Sequence, residues 1–410
     1  MAPPRYDVAV IGGGTAGAVA AREAARSGAR TVLIDVHPPE HGRPVCAGLV
    51  SPGTPQLLEI PASVVRGVIR GAVIHGPAAT RLHLRGDEPK AVVIDRAAAR
   101  AALLSLACAE GAELLAPARA TAVMPGVVKM ELPEGTAEIE AAVVIGADGP
   151  ASTVARCLGL SPPDPVLSSL QVTIPVEERV DDEVRLFVGR DVAPGFFAWT
   201  APAEEGRLRV GLACVSPHRP EPFLRRLLEE RYPEAGSDDL ALESAPIPLG
   251  PPPETVADGG LLVGDAAGQV KPLSGGGIST GARCAKLAGR LAAWAALARR
   301  TTRGDLAVYE GQWRREIGAE IAFGKEIHRM RCALTDDQLA AALRAADEPS
   351  LLALVAEKAD IDRPSRLLEA FVGRQELWPR LLGIVTAVGG WQSLSALLRE
   401  AVRLVRPRNL

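Results

Sequence analysis

The stretch Val8-Ala-Val-Ile11-Gly12-Gly-Gly14-Thr-Ala-Gly17 decides the fold. Four apolar, strand-forming residues run straight into a G-x-G-x-x-G spacing, and the small residues from Ala16 to Ser27 continue it as a helix. A strand that turns this sharply into a helix needs glycine three times: for the turn itself, for close approach of a pyrophosphate to the backbone, and for packing of helix on strand. The helix then presents free N–H groups and a partial positive charge to phosphates. Thr31 to Asp35 supplies the next strand, and Asp35 at its end can accept hydrogen bonds from an adenosine ribose. Strand, turn, helix, strand and acid fall in register, which predicts an N-terminal βαβ unit that binds a dinucleotide.

Outward from this unit, Ala142 to Ile145 reads as a further buried parallel strand, and Arg96 to Gly111 as a second helix. The texture changes after Pro162. Val184 to Val188, Phe196 to Thr200 and Leu208 to Cys214 alternate with Gly, Pro and charged turns, as antiparallel strands do. The parallel pattern returns at Gly260-Leu-Leu-Val-Gly264, a long helix follows over about 278–299, and everything from about 305 onward reads as helical. These shifts divide the chain into a nucleotide-binding first part (1–164), an inserted antiparallel-sheet region (165–250), a nucleotide-binding second part (251–304) and a helical C-terminal region (305–410).

Totals exclude several function classes. The chain has 410 residues, too many for one ordinary core, and 47% of them are hydrophobic, so two or three subdomains can each bury a core. With 46 Lys+Arg against 49 Asp+Glu the net charge is -3, which gives no electrostatic reason to expect nucleic acid. Six cysteines lie scattered without a C-x-x-C pair, as cytosolic thiols do, and six histidines lack ligand spacing, so no metal site is expected. No secretory leader precedes the first strand, and the most apolar run, Leu381 to Val388, is too short to span a bilayer. The expectation is a cytoplasmic protein.

Two further motifs choose the dinucleotide. Gly146-Ala-Asp148-Gly149 ends a strand, with Ser152 and Arg156 on the helix after it. Gly264-Asp265-Ala-Ala-Gly268 ends another and is followed by Pro272 and the run Gly275-Gly276-Gly277-Ile278. A second strand-end aspartate can hold ribityl hydroxyls. The glycine run opens a helix whose N-terminus can face the N1–C2=O edge of a flavin, where negative charge gathers on reduction.

With these residues the chain resembles the FAD-dependent hydroxylase-like flavoproteins over about residues 5–300, and within them the geranylgeranyl reductase family. The family-level likeness rests on Val45-Cys46-Ala47-Gly-Leu-Val-Ser51, on Leu262-Val-Gly-Asp265, and on Phe197-Ala-Trp199-Thr-Ala-Pro202, a reduced form of the family's Tyr-x-Trp-x-Phe-Pro motif. The tyrosine is Phe197 here and the second aromatic is Ala201, which widens the cavity wall and makes it more apolar. Flavin-dependent halogenases carry a related motif of which Trp199 and Pro202 survive.

The resemblance implies an α/β fold: a Rossmann-like FAD-binding domain with an inserted antiparallel sheet and a helical C-terminal region. It implies FAD held by Gly12, Gly14, Ala16, Gly17, Asp35, Cys46, Ala47, Arg96, Ala120, Asp148, Gly149, Gly264, Asp265, Gly276, Gly277 and Ile278. It implies candidate catalytic residues Cys46, Phe197 and Trp199, with Cys46 beside the flavin as proton source or gate. The implied activity is reduction of C=C bonds in a prenyl chain, on a prenylated quinone or geranylgeranyl lipid. An aromatic hydroxylase, a halogenase and a non-catalytic flavin redox sensor remain the alternatives. Trp199 also reads as a core tryptophan, Cys46 as an inert thiol, and His37 and His41 as solvated loop residues. A second dinucleotide fingerprint is lacking, so electrons arrive from transiently docked NAD(P)H or a small redox protein. Beyond Arg374, Trp378 and Trp391 flank an apolar run, and Leu394, Leu397, Leu398, Ala401, Val402 and Val405 form a helical stripe with Arg399, Arg403, Arg406 and Arg408 beside it. That pattern suits a helix lying on an anionic membrane surface as well as one packed on the protein.

Overall fold

The computed structural model describes residues 3–41, 45–176, 182–203, 206–236 and 240–387. Trp391, the stripe from Leu394 to Val405 and the arginines from Arg399 to Arg408 lie outside the described residues, as does Val388 at the end of the apolar run.

The decisive stretch folds as read. Arg5–Ile11 is a strand, Thr15–Arg26 a helix and Thr31–Ile34 the next strand, paired parallel to the first with Val10 opposite Leu33. The sheet continues in the order Val256–Ala257, Gly260–Leu262, Gly135–Gly146, Arg5–Ile11, Thr31–Ile34, Glu113–Leu115. Along this row every pair is parallel except the short edge hairpin of Val256–Ala257 on Gly260–Leu262, and two further strands, Arg119–Met124 and Gly126–Leu132, join the sheet antiparallel beside the row. The strand expected over 142–145 is the end of the longer Gly135–Gly146, whose first half pairs antiparallel with Gly126–Leu132. That first half alternates polar and apolar, Thr136-Ala-Glu138-Ile139-Glu140, because it faces water on one side.

The two helices over this sheet pack by size. Thr15–Arg26 lies on Ile278–Leu297, and both are rich in alanine. An added Cβ at Gly289 would overlap the Ala20 carbonyl oxygen, so glycine is what lets the two backbones approach. The contact also buries Arg22 and Glu23. Arg22 donates to the Leu58 carbonyl oxygen at 2.8 Å and pairs with Glu59 at 3.1 Å, while Glu23 accepts from Arg290 at 2.8 Å, so neither charge is buried alone.

A second sheet of seven strands stands beside the first, in the order Glu243–Pro248, Val166–Pro175, Arg207–Cys214, Ala198–Pro202, Glu183–Phe187, Gly71–His75, Arg81–Arg85. The region read as antiparallel is antiparallel. The two strands at its far edge come from before residue 90, and Gly71–His75 joins Glu183–Phe187 in parallel. Their short, charge-bearing sequences Gly-Ala-Val-Ile-His and Arg-Leu-His-Leu-Arg give little periodicity to read. One face of this sheet is covered by helix Pro220–Arg231, around Val172, Val210, Leu212, Leu224 and Leu227. The other face carries Leu167, Phe196, Ala213 and Leu249, with Phe197, Trp199 and Ile247 packed against them.

The C-terminal region is helical from Arg303–Trp313 through Trp378–Ala387. Its helices Asp336–Ala346 and Pro349–Lys358 pack on Arg81–Arg85, and Arg190 ties the sheet to it through the Leu334 carbonyl oxygen at 2.9 Å. No helix among the described residues is long and apolar enough to cross a membrane.

Candidate functional site

Four strand ends meet at one edge of the parallel sheet, where Gly12, Asp35, Gly146 and Gly264 turn the chain outward, and they bring the sequence-predicted residues together. Gly12 has φ +105°, and an added Cβ there would overlap the Ala147 carbonyl oxygen. The first glycine is therefore demanded both by conformation and by the Gly146–Gly149 segment beside it. A Cβ at Gly17 would overlap the Gly12 carbonyl oxygen. A Cβ at Gly14 would meet nothing within 4 Å. Two glycines thus serve the protein's own packing, while Gly14, exposed at the start of the helix, serves the space in front of it.

The three strand-end aspartates are in different situations. Asp148 is fully engaged: its carboxylate accepts from Ser152 Oγ at 2.6 Å and from the N–H groups of Thr153 at 2.7 Å and Val154 at 3.2 Å, capping the short helix Thr153–Cys157. Asp35 accepts from the Gly13 N–H, from the His37 N–H at 2.7 Å and from Arg100 at 3.1 Å. Arg100, which sequence reading missed, also donates to the carbonyl oxygens of His37, Pro38 and Pro39 and so fixes the loop beyond the strand. Asp265 alone has no donor to its carboxylate among the described residues. It is open along the cleft yet closely surrounded by protein. That partial removal from bulk water pushes its carboxyl up to about 6, against the lowering field of Arg96.

The turn that holds Asp265 is itself fixed from below. Gln269 accepts from the Gly264 N–H at 2.8 Å and donates to Tyr309 Oη at 2.8 Å, and Tyr309 donates to the Leu262 carbonyl oxygen at 2.8 Å. Gln269 and Tyr309 are completely buried, and nothing in their spacing announced this brace. Gly264 has φ +67°. Beyond the turn, Gly276, Gly277 and Ile278 open the long helix, and a Cβ at Gly277 would stand 2.8 Å from Asp265 Oδ1. Asp265 and the helix N-terminus therefore face the same space.

The opposite wall is the segment Val45–Ser51, a loop that runs into the short strand Leu49–Val50, paired with Ala91–Ile94. Cys46 is half-buried, its Sγ accepts from the Gly48 N–H at 3.4 Å, and its carbonyl oxygen lies 3.5 Å from Gln171 Nε2. Arg209 donates to the Ala47 carbonyl oxygen at 3.0 Å. Gln171 and Arg209, both on the second sheet, thus hold this loop against the cleft. Arg96 opens the helix Arg96–Ala109 and reaches Thr15 Oγ1 at 3.2 Å, while its Nε is buried without a partner. Ala16 lies against Gly264. Gly149 turns with φ +82° next to Asp148. Ala120 lies two residues beyond Ala118, whose N–H donates to the Asp35 carbonyl oxygen at 2.8 Å.

Phe197 and Trp199 lie on the second sheet and meet edge to face, ring centroids 6.0 Å apart, while Phe196 and Phe197 stack at 4.2 Å. Trp199 stands opposite Gly211 in the strand pair, where a Cβ would come within 2.6 Å of the indole. A Cβ at Gly275 would lie 3.4 Å from Phe196 Cζ, so the aromatic wall abuts the glycine turn. Arg331 lies 4.6 Å over the Phe196 ring and 2.9 Å from His328 Nδ1, and burial pushes the His328 imidazole down to about 4, with Arg331 and Lys325 adding to the effect. His328 is therefore neutral at physiological pH. Neither it nor Arg331 was singled out from sequence, because they lie in an unremarkable helical stretch.

FAD fits these residues. An uncapped helix N-terminus with an open Gly14, a carboxylate without a donor at Asp265, and the orphaned Arg96 Nε are what an adenine dinucleotide with a ribityl chain requires.

The comparisons with known proteins agree. The family model described as FAD binding domain matches residues 5–319. A digeranylgeranylglycerophospholipid reductase from Methanothermobacter thermautotrophicus is 34% identical over 85% of this chain and 93% of its own. A crystal structure of a geranylgeranyl bacteriochlorophyll reductase-like protein from Thermoplasma acidophilum superposes with a TM-score of 0.80 and 25% identity, covering 92% of this chain and all of that one. An anhydrotetracycline hydroxylase from Streptomyces rimosus, at 23% identity and a TM-score of 0.58 over 86% of this chain and 75% of its own, shares the fold alone. The chain belongs to the FAD-binding flavoproteins of the hydroxylase-like superfamily, and within them to the geranylgeranyl reductase family.

Proposed function

We propose that this enzyme saturates C=C bonds in the geranylgeranyl chains of a lipid, with FAD held by Gly12, Gly14, Asp35, Arg96, Asp265 and the Gly276–Ile278 helix start. The observation that carries the substrate class is the aromatic wall of Phe196, Phe197 and Trp199 against the Gly275 turn. Its rings offer mostly carbon surface, with Trp199 Nε1 a buried N–H without a partner among the described residues, whereas a hydroxylase has to grip the polar groups of its aromatic substrate. The names of the relatives support a glycerophospholipid over a quinone as the carrier of the chain.

When bound, FAD supplies two-electron transfer, placing a hydride on one alkene carbon while a proton reaches the other. Saturating one C=C bond takes up a hydride and a proton, so two electrons per turnover would have to come from an external donor, a nicotinamide or a small redox protein. An isolated alkene has no carbonyl to polarise, so the protein's part is to exclude water and align the chain. Phe197 and Trp199 do this as walls. Cys46, on the facing loop, is the group proposed to pass or gate the proton. The enzyme is proposed to work in the cytoplasm, at the membrane surface from which its substrate must be lifted.

The test is anaerobic. Dithionite-reduced enzyme, freed of excess reductant, is mixed with unsaturated geranylgeranyl glycerophospholipid. The flavin should reoxidise as the lipid gains two hydrogens per turnover by mass spectrometry, and Trp199→Ala should retain FAD but lose most of that rate. Reoxidation only on admitting oxygen, stimulated by an aromatic compound, would instead establish a hydroxylase. No reoxidation by any acceptor would establish a sensor.

A further inference from the structure

Asp362 lies in the bend between helices Pro349–Lys358 and Ser365–Val372, far along the chain from every motif of the flavin site. Its carboxylate nevertheless reaches into that site. Oδ1 accepts from Lys271 Nζ at 2.6 Å and from Ser279 Oγ at 2.6 Å, and Oδ2 accepts from Ser51 Oγ at 2.6 Å. Arg283 stands 4.0 Å away. The Asp362 and Lys271 side chains are only 9% and 10% exposed, so this is a buried ion pair with its remaining acceptor sites filled by hydroxyls. Burial alone would raise the carboxyl, and Lys271 with the two serines holds it below the ordinary value.

The three donors belong to both walls of the cleft. Ser51 closes the loop that carries Cys46. Ser279 is in the first turn of the helix that Gly276 and Gly277 open. Lys271 sits under the glycine turn: its N–H donates to the Gly276 carbonyl oxygen at 3.1 Å, its own carbonyl oxygen accepts from Gly275 N–H at 2.8 Å, and a Cβ at Gly276 would lie 3.4 Å from Nζ. A cation at that place favours negative charge in front of the helix N-terminus, adding to the helix dipole. Asp362 offsets it.

We propose that Asp362 is a positioning residue of the flavin site. By neutralising and orienting Lys271 beneath the Gly275–Gly277 turn, it sets the reduction potential of bound FAD and ties that potential to the seating of the C-terminal helices. The inference rests on the reading above that FAD lies against Asp265 and the Gly276–Ile278 helix start.

The potential of the holoenzyme is measured by anaerobic photoreduction against an indicator dye at pH 6 and pH 7, for wild type, Asp362→Asn, Lys271→Met and the double variant. Removing the carboxylate leaves Lys271 unopposed, so Asp362→Asn should raise the potential. Removing the ammonium leaves a negative charge, so Lys271→Met should lower it. Each shift should reach a tenfold change in the ratio of reduced to oxidised enzyme at a fixed dye potential, 29.6 mV for a two-electron couple. The double variant, which keeps the net charge, should return to within a third of either shift. Should Asp362→Asn fail to fold, the wild-type, Lys271→Met and double-variant values carry the same test. Shifts of the same sign, shifts below tenfold in the folded single variants, or a double variant that does not return overturn the proposal. A purely structural role would move thermal stability and FAD content without this sign pattern. No prenyl substrate enters the measurement, so its failure is distinct from failure of the substrate reading. A protein that retains no FAD would sink the function reading first.

Discussion

Asp35, Asp148 and Asp265 look alike in sequence, each an acid at a strand end, and only their donors tell them apart. Asp148 is satisfied by Ser152 and two backbone N–H groups, Asp35 by Arg100 and two more, and Asp265 by none among the described residues. Asp265 is therefore the one whose hydrogen-bonding capacity is left open, and it is the acid proposed to hold the cofactor. Losing a charge-assisted bond of roughly 1.5–3 kcal/mol should weaken FAD binding by ten-fold or more in Asp265→Ala, and Asp148→Ala should act through the stability of its capped helix instead. The raised carboxyl makes a second, opposite prediction for the FAD-free protein. Its folded value, about 6 against an ordinary 3.8, means that the folded state holds the proton more tightly than the unfolded one. That contribution to stability is complete below the ordinary value and is lost as pH rises through about 6. Asp265→Asn abolishes the titration. The melting temperature of the FAD-free variant relative to wild type should therefore climb between pH 4.5 and pH 7. Thermal melts across that range check it. A difference that stays flat would show that the site does not hold the carboxyl in the neutral form.

The strand–turn–helix element carries its own prediction, because its glycines serve different masters. Gly17→Val collides with the Gly12 carbonyl oxygen and should leave little folded protein, whereas Gly14→Glu meets no protein atom within 4 Å of the new Cβ and should fold. The Gly14 variant should nonetheless purify colourless, its carboxylate standing where the pyrophosphate belongs. Circular dichroism with flavin absorbance separates the two, and a yellow Gly14→Glu protein would place the cofactor elsewhere. This element was fully legible in the sequence because a single local spacing specifies turn, approach and packing together. The antiparallel run from Glu183 to Cys214 and the helix from Ile278 were legible for the same reason, through local period and bounding glycines. What could not be read was non-local. The edge strands Gly71–His75 and Arg81–Arg85 declare no partner until the sheet forms. Likewise Arg100, Gln171, Arg209, Gln269 and Tyr309 carry no signal of the loops and turns they brace. In the candidate site, the glycine turns and strand-end acids proposed to meet the cofactor were legible from sequence, and the residues that brace them were not.

At the scale of the whole molecule, one carboxylate from the C-terminal region reaches both walls of the cleft, and the last described helix beyond it keeps apolar side chains exposed. The helix Trp378–Ala387 leaves Trp378 49% and Leu382 42% exposed, which is apolar surface without cover among the described residues. The sequence after it adds Trp391, the stripe from Leu394 to Val405, and Arg399, Arg403, Arg406 and Arg408. Against an anionic surface each arginine contributes about 1 kcal/mol, so four of them amount to roughly a thousand-fold in affinity at low salt, a gain that falls as the Debye length shortens. Exposed tryptophan and leucine add an apolar anchor that salt does not weaken. The full-length enzyme should therefore float with vesicles rich in phosphatidylglycerol at low salt, float less at high salt, and float poorly with neutral phosphatidylcholine. A chain ending at Ala387 should keep its FAD and its melting temperature yet remain at the bottom of the gradient. If that truncated chain floats as well as the full one, the arginine-bearing segment is not the anchor. If it instead loses FAD or melts early, the segment packs on the protein and the exposed face of Trp378 is its seat.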